Sequence, residues 1–124
     1  MIASSLFLGL FGLGGTFAPD AVLIHVRAPV SPPLVVIVQV LGALYLGFAM
    51  MNWIARGNVM GGIYSRPVAM GNMVHFLIAA LALVKLLAKH PDLWPLWVTT
   101  VVYGAFAVSF AAVVFGSPSA PQQR

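Results

Sequence analysis

Residues 52–75 read N-W-I-A-R-G-N-V-M-G-G-I-Y-S-R-P-V-A-M-G-N-M-V-H and join two long apolar segments. Four glycines, two arginines and a proline interrupt a chain that is otherwise greasy. The segment before them, residues 33–55, and the segment after, residues 67–89, each exceed the ~20 apolar residues that a helix needs to cross a bilayer. Ser65-Arg66-Pro67 is a helix start, with a cap residue followed by a proline whose missing N–H costs nothing in the first turn. This stretch makes the fold a set of membrane helices joined by short turns.

The same punctuation organises the rest. Ser31-Pro32-Pro33 repeats the start signal ahead of the second span. Residues 2–18 form a first apolar segment, slightly short and uncharged, which Pro19 ends because proline cannot continue the hydrogen-bond ladder. A cleaved signal peptide is the rival reading. It would want basic residues near Met1, but none precedes Arg27, and the cut after Ala18 would fall beside Pro19. Residues 20–27 are too short to span. Asp20 can cap them, and Val22, Leu23 and Val26 share one side, as in a helix lying on the bilayer surface. His90-Pro91 stops the third span, Asp92 can cap the fourth over residues 93–115, and residues 116–124 read as a disordered tail. The expected fold is all-α: a single domain over residues 1–115, a four-helix transmembrane bundle with a short interfacial helix after the first span.

Composition agrees. The 124 residues are 61% hydrophobic and only 6% charged, against about 25% charged in soluble domains. Mean hydropathy is +1.02. The net charge of +4 comes from Lys and Arg placed singly near helix ends, which reads as topology signals and contact with anionic lipid rather than nucleic-acid binding. With no cysteine, thiolate metal sites, iron–sulfur clusters and disulfides are excluded. Trp53, Trp94, Trp97 and Tyr64 fall near span ends, as interfacial anchors do. Arg56, Arg66 and Arg124 on one side balance Arg27, Lys85 and Lys89 on the other. Lys85 must snorkel from inside its helix, so N-in and C-in is the favoured orientation.

Polar chemistry concentrates around the 52–75 loop. Tyr45, Phe48, Asn52 and Arg56 share a helical face, as do Asn72 and His75 on the next helix. With Tyr64 and Arg66 they make a candidate ligand or headgroup site, suited to a phosphate, a carboxylate or a quinone-like carbonyl. The competing reading is that Asn52, Asn72 and His75 are hydrogen-bonding glue between helices. No cofactor is expected. A quinone, or haem held by His75 as a single axial ligand, is what the residues leave open. No histidine pair has metal-ligand spacing, and no Asp or Glu lies within a span to relay protons.

Small residues mark helix-packing faces: Gly9, Gly12 and Gly15 on the first helix, Gly42 and Gly47 on the second, Ala79 and Ala82 on the third, and Gly104, Ala107 and Ala111 on the fourth. The glycine face of the first helix is a candidate for packing against another protein.

L-G-A-L-Y-L-G-F-A from Leu41, then N-W, R-G, G-G-I-Y-S-R-P and G-N-M-V-H-F, resemble a group of small, uncharacterised bacterial four-span membrane proteins. The likeness covers about two thirds of the chain. It implies four helices and gives weight to residues 52–75, but brings no activity with it. The expected function is non-enzymatic: an accessory or stabilising subunit of a larger inner-membrane complex, respiratory or photosynthetic in type, surrounded by lipid and by other transmembrane subunits or copies of itself. The alternatives are a binder of an anionic lipid or quinone-like amphiphile at the 52–75 loop, and an enzyme on a lipid-like substrate with His75 as acid/base.

Overall fold

The computed structural model describes residues 1–57, 65–93 and 95–116. These form α1 (Ile2–Phe17), α2 (Pro19–His25), α3 (Pro32–Ala55), α4 (Ser65–Lys89) and α5 (Pro95–Phe115), with no strand among them. α3, α4 and α5 are long and apolar enough to cross a membrane. α1 has 16 residues, ~24 Å at 1.5 Å each, and is joined to α2 across a bend of 105°. The chain divides into two compact units, Met1–Gly57 and Asn58–Arg124.

The prolines act at helix starts. Ala18 is the one residue between α1 and α2, and Pro19 opens α2 at its first position. Asp20 is therefore not the cap of α2. It lies in the first turn, where its carboxylate meets the positive end of the helix dipole. Ser31 is the extended N-cap of α3 and is followed by proline, but its hydroxyl makes no capping hydrogen bond. α5 begins at Pro95, two residues later than expected, and Asp92 sits in the preceding turn.

α2 ends in a Schellman motif. The Arg27 N–H donates to the Ile24 carbonyl and the Ala28 N–H to the Leu23 carbonyl, at 3.0 and 2.9 Å. The motif needs a left-handed residue, and Arg27 supplies it with φ of 58°.

In the first unit, α1 and α3 run antiparallel. Ser5 lies beside Ala49, Gly12 beside Leu46 and Gly42, and Gly15 beside Gly42 and Val38, so partners on α3 descend as α1 ascends. The buried face of α1 is Ser4, Ser5, Leu8, Gly12 and Gly15, and that of α3 is Gly42, Ala49, Asn52 and Ala55. The approach is closest at Gly42, where an added Cβ would lie 2.5 Å from the Thr16 backbone nitrogen and 2.7 Å from the Gly15 carbonyl carbon.

In the second unit, α4 buries Ser65, Ala69, Asn72, Phe76, Ala80 and Leu87, a face spaced by threes and fours apart from one seven-residue step. Tyr103, Ala107 and Phe110 form the matching face of α5. Phe76 is fully buried, with ring centroids 4.8 Å from Phe106, 5.3 Å from Tyr103 and 5.9 Å from Phe110. Such tilted and offset rings pack favourably.

Two stability predictions follow from this geometry. Gly42→Ala forces backbone apart, so it should destabilise the protein in detergent by about 1–3 kcal/mol, read as a lower thermal midpoint. Arg27→Gly relieves a left-handed residue and should be neutral or stabilising by up to ~1 kcal/mol, whereas Arg27→Val should lower the midpoint.

Candidate functional site

The residues expected around the 52–75 loop fall in both units. Asn52 and Arg56 belong to the first, and Arg66, Asn72 and His75 to the second. Tyr64, with Gly61 and Gly62, lies outside the described residues, as does Trp94.

Asn52 is fully buried near the C-terminal end of α3, where an amide in apolar surroundings needs partners. Its Nδ2 donates to Ser4 Oγ at 3.2 Å. Ser4 Oγ in turn donates to the Met1 carbonyl at 2.8 Å. One turn along, Ser5 Oγ donates to the Ala49 carbonyl at 2.8 Å. A short polar seam thus ties the start of α1 to the end of α3, continuous with the glycine contact. Ser4 and Ser5 were not anticipated as partners. The signal was available: they are adjacent hydroxyls in an otherwise apolar helix, one to two turns before Gly9 and Gly12 on the same face.

Arg56 follows the last residue of α3. Its guanidinium lies 3.8 Å over the Trp53 ring and donates a hydrogen bond to the Trp53 carbonyl. Both residues are exposed. The arrangement combines a cation–π contact with a positive charge at the negative end of a helix dipole.

Asn72 is also fully buried, and its Nδ2 donates to the Val68 carbonyl of its own helix at 2.8 Å. Thr100 and Ser109 on α5 return their hydroxyls in the same way to the Leu96 and Ala105 carbonyls. His75 is half-buried beside aromatic rings, with centroids 5.2 Å from Phe76 and 6.0 Å from Tyr103. Arg66 is exposed in the first turn of α4, and Lys85 and Lys89 are exposed toward its end. Among the described residues, no group of three His, Asp or Glu side chains could hold a metal ion.

The packing residues divide. Gly9, Gly12, Gly15 and Gly42 line the α1–α3 contact, so the glycine face of α1 is used within the unit. A side chain at Gly47 or Gly104 would meet nothing within 4 Å. Ala107 is buried, Ala79 and Ala111 are half-buried and Ala82 is exposed. Ala80, not Ala82, lies on the buried face of α4. Trp97, like Trp53, is exposed.

Compared with known proteins, the chain matches no family model, no curated protein and no solved structure.

The seam makes a quantitative prediction. Ser4→Ala and Asn52→Ala should each destabilise the protein, but together by less than the sum. The coupling in a double-mutant cycle should be about 0.6 kcal/mol, the usual size for a hydrogen bond between membrane helices. Strict additivity would mean that the two side chains do not interact.

Proposed function

We propose that this is a four-span protein of the bacterial inner membrane, in which α1 crosses the bilayer and α2 turns to lie along the interface. Its role is non-enzymatic. It packs as an accessory or stabilising subunit against a larger membrane complex, such as a respiratory or photosynthetic assembly.

The observation that supports this most is where the buried polar side chains go. Ser4, Ser5, Asn52, Asn72 and Thr100 all hydrogen-bond to helix carbonyls or to one another. Groups engaged in this way are satisfied within a helix or between two helices rather than turned toward a substrate. The outward faces are apolar. α3 is the least covered span, with 11% of its core window buried against 22% for α4 and α5. Val36, Ile37, Val40, Leu41 and Leu44 form a shallow apolar hollow on its outer side. A helix from a larger protein fits such a face as well as lipid does, and van der Waals packing is the attraction available to it.

Native mass spectrometry of protein extracted gently from its own membrane tests this role. The expected result is release with larger subunits at fixed stoichiometry, and Val40→Trp should lower the bound fraction while leaving helix content intact. Release of the wild type alone, at any detergent strength that keeps known complexes together, would overturn the role. Gly12→Leu is a poor probe of the partner interface, because a side chain there would meet Leu46 of the same unit at 2.8 Å.

A further inference from the structure

A groove of about 430 Å³ runs along one flank of the α1–α3 pair. Leu6, Leu10 and Leu13 wall it on one side, and Met50, Trp53 and Ile54 on the other. Its floor is made by small residues: a Cβ at Gly9 would lie 3.8 Å from that of Ala49, so nothing fills the space above them. On α3 the lining runs from Leu46 to Ile54, ~12 Å of helix. Half of a ~30 Å hydrocarbon core is about 15 Å. The groove is therefore close to one leaflet deep.

Its two ends differ. The end at Leu13 and Leu46 is wholly apolar and lies near the middle of α3. Trp53 lines the other end, and the Arg56 guanidinium rests on its ring. Trp at this position marks the headgroup level. A guanidinium carries five N–H donors, and the Trp53 carbonyl takes one, so donors remain for a bidentate contact with phosphate.

We propose that this groove holds one acyl chain of an anionic phospholipid, with the lipid phosphate on Arg56. The proposal goes beyond a packing role and rests on α1 and α3 crossing the bilayer. Charge selects the occupant. A second copy related by a two-fold axis along the membrane normal would bring its own Arg56 to the same level, cation toward cation. A phospholipid brings the opposite charge to the surface end and a hydrocarbon chain of the right depth to the other. An anionic lipid is preferred over a zwitterionic one because its headgroup adds no second cation beside Arg56.

The test is native mass spectrometry of the purified full chain after exchange with equimolar phosphatidylglycerol and phosphatidylcholine. Wild type should retain phosphatidylglycerol preferentially. Arg56→Gln should lower that retention about fivefold, the weight of one basic residue near an anionic surface, with phosphatidylcholine little changed. Leu10→Trp fills the groove and should lower retention of both lipids. The proposal falls if Arg56→Gln keeps its phosphatidylglycerol or if Leu10→Trp changes nothing. Flotation of wild type with plain phosphatidylcholine vesicles checks the spanning reading separately, since protein that stays out of the bilayer contradicts that reading whatever the lipid preference.

Discussion

Backbone contact at Gly42 is the constraint on which the first unit depends. A helix of 16 residues is short for a bilayer, and its own apolar faces gain nothing from burial when lipid is as apolar as leucine. What holds α1 against α3 is close van der Waals contact, available because Gly12, Gly15 and Gly42 carry no side chains. That approach brings Ser5 within reach of the Ala49 carbonyl and Ser4 within reach of Asn52. It also buries the Thr16 hydroxyl oxygen over Gly42, where it has no conventional partner among the described residues and faces the glycine Cα hydrogens, a weak donor common at close helix crossings.

The same economy of polar groups runs through both units. In hydrocarbon a buried amide or hydroxyl needs a partner, and apart from Thr16 those described here find one locally. Asn72, Thr100 and Ser109 turn back to carbonyls one helical turn away, while Asn52 and the two serines bridge helices. Cations are among the groups left at the surface. Arg56, Arg66, Lys85 and Lys89 are all exposed, and Arg56 is held on an indole ring. Such exposed cations suit an anionic headgroup, and the apolar faces suit acyl chains or other helices.

Much of the secondary structure was legible because proline and charge mark it. Pro32, Pro67 and Pro91 lie at or near helix boundaries, and α4 ends at Lys89, just before His90-Pro91. Pro19 was read as a stop and acts as a start, since the position that ends one ladder suits the first turn of the next. Helix partners were less legible. Glycine spacing marked Gly12, Gly15 and Gly42 as packing positions but could not say that they meet one another. Gly47 carries the same signal and faces open space. The hydrogen bond from Asn52 to Ser4 spans 48 residues of sequence, which no local pattern reveals. The Phe76 cluster escaped notice because every helix is apolar all round, and a buried phenylalanine reads like a lipid-facing one.

The register of α1 on α3 is the most direct thing to measure. The chain has no cysteine, so an introduced pair has no background. A Cβ at Gly9 lies 3.8 Å from that of Ala49, the mean separation across a disulfide. Gly9→Cys combined with Ala49→Cys, oxidised in native membranes, should give a fast intramolecular crosslink, while Gly9→Cys with Val40→Cys should give none. Failure of the first pair, or equal yield from the second, would contradict the antiparallel glycine contact on which this account of the protein rests.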